Sequence, residues 1–115
     1  MIWINNHKIS ELGQEIGEEN IPLLLEIFLS ELGMYRQKLL DGVPGGNMSY
    51  LIEISHALKS SAASFGADQL CSVARHIDSN AKQGIAMDEE FETANMLDTL
   101  TETLKHYQQY YPALV

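Results

Sequence analysis

Between Asp41 and Asn47 the chain reads Asp-Gly-Val-Pro-Gly-Gly-Asn, and no regular element passes through three glycines and a proline set within seven residues. On both sides of that break the apolar residues recur at threes and fours. Upstream, Leu24, Phe28, Leu32, Tyr35 and Leu39 form one stripe, and downstream Leu51, Ile54, Leu58, Ala62 and Phe65 form another. The spacing predicts two helices joined by a turn, the first from Ile21 to about Leu40 and the second from about Ser49 to Phe65, ending at Gly66.

The same punctuation divides the rest of the chain. Ser10 is placed to cap a short helix running to Ile16, which Gly17 closes, and Asn20 with Pro22 in the first turn opens the next helix. A further helix is expected from about Ala67 to Gln83, with Leu70, Val73, Ala74, Ile77 and Ala81 on its inner side and Gly84 after it. The last is expected from near Asp88 toward Tyr111, with Leu97, Leu100, Leu104, Tyr107 and Tyr111 inward and Pro112 as its stop. No alternating strand pattern competes, so the fold class is all-α. Short connections between four long helices favour an antiparallel four-helix bundle, with the short N-terminal helix packed at one end.

A length of 115 residues suits a single domain over residues 1–115, since a second core of useful size does not fit. A net charge of -9, from 16 acidic against 7 basic residues, repels nucleic-acid phosphates and anionic membranes, so protein partners are expected. The N-terminal residues lack a basic stretch followed by an apolar segment, and no apolar run reaches membrane-spanning length, which points to a cytoplasmic protein. The lone Cys71 fits a reducing compartment and reads as a small buried side chain.

On the helix after the turn, a wheel at about 100° per residue puts His56 roughly 200° from the buried Leu58, beside Ile52, Lys59, Ser60 and Ala63. His56 therefore points outward. The run Ser60-Ser61-Ala62-Ala63-Ser64 clears bulk from beside the imidazole, so another protein can approach closely. Lys59, three residues on, can offset negative charge on a group attached to the ring. A neutral imidazole nitrogen is a nucleophile, a solvent-exposed imidazole is mostly neutral near neutral pH, and phosphoryl transfer rests on alignment and charge neutralisation. A metal ion and carboxylates can then belong to the partner, and no activating base is required here.

The residues His56-Ala57-Leu58-Lys59-Ser60-Ser61, followed by Phe65-Gly66-Ala67 and Leu70, resemble the signature of histidine-phosphotransfer (Hpt) domains. The stretches from Glu15 to Leu32 and from Glu53 to Ala74 are similar to the phosphotransfer proteins of vibrio-type quorum-sensing relays. The resemblance implies a phosphocarrier without kinase or phosphatase activity of its own. His56 would accept a phosphoryl group from the receiver-domain aspartate of a hybrid sensor histidine kinase and pass it to a response regulator. It also implies Lys59 as charge partner, Gly66 with Ala67 as the tight turn, Mg2+ in the partner's receiver domain, and a monomer, while Ile52, Ser60 and Ala63, on the face the wheel gives to His56, are the expected docking surface. Many family members carry glycine where Ser60 stands.

Two other functions compete. A histidine-kinase dimerisation segment would follow the histidine with an acidic residue and place Thr or Asn four positions on, where this chain has Ala57 and Ser60, and no glycine-rich nucleotide-binding segment is present. A helical adaptor that binds a response regulator without phosphate transfer would use the same surface. His7, His76 and His106 read as surface residues, with His7 ahead of the first helix. Without a His-x-x-x-His spacing or a cysteine pair, no metal site is expected.

Overall fold

The computed structural model describes residues 2–111. Among them the regular structure is entirely helical: α1 (Asn6–Ile16), a single 3-10 turn (Glu18–Asn20), α2 (Ile21–Asp41), α3 (Met48–Ser64), α4 (Asp68–Lys82) and α5 (Glu89–Tyr110). The expected stop at Pro112 lies outside the described residues.

α3 and α4 form the most extensive pairing, α5 packs on α2 and α4, and α1 rests against α2 and α3. One apolar core runs through all of them, from Leu25, Phe28 and Leu32 of α2 through Leu51 and Leu58 of α3 and Leu70 and Ile77 of α4 to Met96, Leu100 and Tyr107 of α5. Phe28 stacks on Phe65 at 4.6 Å between ring centres, and the buried Tyr107 meets Phe28 edge-on and donates its hydroxyl to the Phe65 carbonyl at 2.6 Å. Burial, with the neighbouring Tyr111, raises the Tyr107 phenol well above its ordinary pKa, so it stays a donor. The turn after α2 is fastened by Asn47, whose side chain accepts from the Val43 amide at 3.0 Å.

Several boundaries and stripes differ from the sequence expectation. α1 begins at Asn6 because Asn5, not Ser10, caps it, accepting from the Lys8 amide; Ser10 sits inside the helix, and so does His7. Asn20 does not cap α2; its side chain turns back to donate to the Ile16 carbonyl at 2.6 Å. In α2 the buried positions include Leu25 and Leu29, while Leu24 and Tyr35 are half-buried.

The inner faces of α4 and α5 are each turned by about one residue. Cys71 and Asp78 are buried on α4 where Val73 and Ala81 are only partly covered. On α5, Met96, Thr99, Thr103 and Tyr107 are buried, whereas Leu97, Leu104 and Tyr111 are half-buried. Thr99 and Thr103 tolerate this because each hydroxyl donates to the carbonyl four residues back, at 2.8 Å and 2.7 Å.

Candidate functional site

His56 stands on the outer side of α3 with its side chain 64% exposed, while Leu51, Ile54, Leu58 and Ala62 of the same helix are buried. On the same helix Ile52, Lys59 and Ala63 are half-buried and Ser60 is exposed.

The ring is not free-standing. Its Nδ1 lies 3.0 Å from Oδ1 of Asp78 on α4, and the other carboxylate oxygen, Oδ2, accepts from Lys59 Nζ at 2.8 Å and Lys82 Nζ at 3.0 Å. Lys59 first, then Lys82 and the His56 ring, hold the Asp78 carboxyl well below the usual carboxylate range. The same bond to Asp78 raises Lys59 above the ordinary lysine value. An ionised carboxylate only accepts, so Nδ1 carries the hydrogen of the neutral ring and Nε2 presents its lone pair outward. The sequence reading missed both Asp78 and Lys82, and it treated the ring as needing no partner. A signal was present: Asp78 falls at four and seven residues from Ala74 and Cys71, inside the buried stripe, with Lys82 four residues further on.

The turn between α3 and α4 sets the distance between ring and carboxylate. Gly66 has φ +74°, and the Ala67 amide reaches back to the Ala62 carbonyl at 2.8 Å, closing α3 through a left-handed residue. The Asn5 backbone lies directly on Gly66, its amide donating to the Gly66 carbonyl at 2.7 Å, and a β-carbon at Gly66 would overlap the Asn5 carbonyl. Asn5 also donates from its side chain to Asp68 at 3.0 Å, which ties the segment before α1 to the start of α4.

The remaining histidines have partners of their own. His7 pairs with Glu11 at 2.7 Å, and His76 stands 3.5 Å from the buried Glu92. His106 is not a plain surface residue, since Trp3 stacks on it at 5.1 Å and its Nδ1 bonds the Glu102 carbonyl. Glu53 precedes His56 by three residues, a Glu-x-x-His spacing, yet among the described residues no group of three His, Cys, Asp or Glu side chains is placed to hold a metal ion. Among them, too, no helix is long and apolar enough to cross a membrane.

The described residues are helical, and they hold an exposed imidazole in the middle of α3 against a carboxylate and two lysines, which fits a phosphotransfer module. Residues 23–109 match the model of the Hpt domain, and the chain belongs to that family. Its relatives include the "Phosphorelay protein LuxU" of Vibrio cholerae serotype O1, 53% identical over 105 residues that make up 91% of this chain and 93% of the relative. Proteins of the same name from Vibrio vulnificus strain YJ016 and Vibrio harveyi are 52% and 47% identical, each over 93% of this chain, covering 93% and 94% of their own lengths. No solved structure gives a significant match.

Proposed function

We propose that this chain is a phosphorelay intermediate. It accepts a phosphoryl group on His56 from the receiver-domain aspartate of a hybrid sensor histidine kinase and passes it to the aspartate of a LuxO-like response regulator, in quorum sensing. The observation that carries the reading is the split of the imidazole: Nδ1 is held at 3.0 Å by Asp78 while the ring is open to solvent. The names of the Vibrio relatives support the relay, and the supporting scaffold is an antiparallel four-helix bundle, α2 to α5, forming a single cytoplasmic domain that works as a monomer.

In the forward step the Nε2 lone pair attacks phosphorus, the N–P bond forms and the P–O bond of the acyl phosphate breaks. The electron pair leaves with the partner's aspartate carboxylate. Nδ1 keeps its hydrogen, so the ring becomes formally cationic, and the Asp78 carboxylate lies against that developing charge. Lys59 offsets the charge of the bound phosphoryl group, and Ile52, Ser60 and Ala63 offer a low surface beside it for docking. The chain brings no cofactor. The magnesium ion and its carboxylates belong to the partner's receiver domain, and kinase or phosphatase chemistry is not part of this chain's work.

The test is transfer of labelled phosphate from a phosphorylated receiver domain with magnesium to the wild-type chain and to His56→Gln. Acid-labile, alkali-stable label in the wild type and none in the variant is the expected result. Label retained by His56→Gln would move the site elsewhere. Absence of label from several receivers would make the chain a helical adaptor that binds a response regulator without phosphate transfer.

A further inference from the structure

Three cations lie beside Asp78, and two of them are committed to it: Lys59 and Lys82 both bond to Oδ2. Arg75, three residues before Asp78 on α4, lines a shallow cleft of about 430 Å³ with Lys59, Ser60, Asp78 and Ser79. It also lines the adjoining cleft with Lys8, Ala63, Asp68, Cys71 and Ser72, where the Asp68 carboxylate accepts from Asn5, so it stands between the two clefts. Among the described residues the Arg75 side chain, which is exposed, makes no ion pair or hydrogen bond. His56 does not line the cleft. Arg75 lies three residues, about 4.5 Å along the α4 axis, from the Asp78 that holds the ring.

We infer that Arg75 is a specificity-determining docking residue, its guanidinium taking an acidic side chain on the rim of the receiver domain that closes over His56. The inference rests on the phosphorelay reading and adds to it a named contact. A receiver that exchanges a phosphoryl group through an aspartate and magnesium carries carboxylates around its reaction centre. This chain has a net charge of -9 and repels such a surface at long range. Attraction must then come from cations placed on the docking face itself. Lys59 and Lys82 share one carboxylate, whereas among the described residues the Arg75 fork is uncommitted, and a guanidinium matches a carboxylate in two parallel hydrogen bonds. Because it is exposed, it breaks no bond among the described residues on docking.

The experiment compares wild type, Arg75→Ala and Arg75→Glu as acceptors from a purified receiver domain charged with acetyl phosphate in magnesium, over a range of receiver concentrations. Coinciding thermal melts would establish that the exposed substitutions leave the fold intact. The expected result is a half-saturating receiver concentration raised roughly threefold to tenfold in Arg75→Ala and further in Arg75→Glu, with a shallower salt dependence in Arg75→Ala. The rate at saturation, and the spontaneous hydrolysis of label from the isolated phosphoprotein, should stay at wild-type values. Unchanged half-saturation in both variants overturns the inference while labelled wild type leaves the relay standing. A faster hydrolysis or lower saturating rate without a change in half-saturation also overturns it, because Arg75 would then act on the phosphoryl group. Wild type that takes no label removes the relay and this inference together.

Discussion

Replacing Gly66 with alanine should unseat the turn that holds α4 against α3. Gly66 has φ +74°, and the left-handed conformation costs a residue with a β-carbon roughly 1–2 kcal/mol. The new β-carbon also overlaps the Asn5 carbonyl, so the segment before α1 must retreat and give up the 2.7 Å bond from the Asn5 amide to the Gly66 carbonyl. That loss adds about 1 kcal/mol. The total, about 2–3 kcal/mol, corresponds to a fall in Tm of about 8–12 °C for a chain of this size. Thermal unfolding followed by circular dichroism measures it, and Gly33→Ala provides the contrast. Gly33 lies inside α2 with no atom within 4 Å of a built β-carbon, so alanine there should raise Tm by about 4 °C through helix propensity alone. A fall of less than about 3 °C for Gly66→Ala would refute the argument that this close approach holds the turn.

The site and core give further expectations. Asp78→Asn removes the charge that fixes the Nδ1–H tautomer, and phosphate transfer to His56 should slow by roughly 10-fold to 100-fold, by analogy with the loss of a carboxylate that orients a metal-bound imidazole; ring 15N shifts that still report a single tautomer would refute the role. Since the folded pKa of Asp78 is lowered, its contribution to stability is complete above the ordinary carboxylate range of about 4 and is lost as pH falls toward the folded value. Melts of wild type and Asp78→Asn should therefore differ by a constant amount from about pH 5 upward and converge in stronger acid. Lys59→Ala should slow transfer or shorten the lifetime of the phosphohistidine, and unchanged kinetics would make Lys59 an ordinary solvated lysine. Tyr107→Phe leaves the Phe65 carbonyl without its donor and should lower Tm by about 4–6 °C, from about 1–1.5 kcal/mol, with a smaller shift showing that another donor takes the place.

What could be read from the chain in advance followed from single helices. The outward position of His56 is fixed by the stripe Leu51, Ile54, Leu58 and Ala62 on its own helix, and Lys59 by its three-residue offset. Asp78, Lys82 and Arg75 reach the same region only because α4 packs on α3 in a register set by the Gly66 turn, and periodicity within α4 carries no information about that register. A charged side chain inside an apolar stripe is also read as a boundary of the stripe. The expected inner face of α4 accordingly ran to Val73 and Ala81 instead of Cys71 and Asp78. Asn5 escaped notice for a similar reason: its contacts with Gly66 and Asp68 join residues more than sixty apart in sequence.

Within the proposed relay, the two oxygens of Asp78 have separable duties. Oδ1 faces the imidazole and governs which nitrogen is nucleophilic, while Oδ2 gathers Lys59 and Lys82. A phosphoryl group on Nε2 would bring negative charge into competition with Oδ2 for these ammonium groups. With two lysines on one oxygen, Lys59 can turn toward the phosphoryl group while Lys82, four residues along the same helix as Asp78, keeps the largely buried carboxylate paired. Asp78 would then keep Lys82 on one oxygen and, on the other, the ring that becomes cationic on phosphorylation.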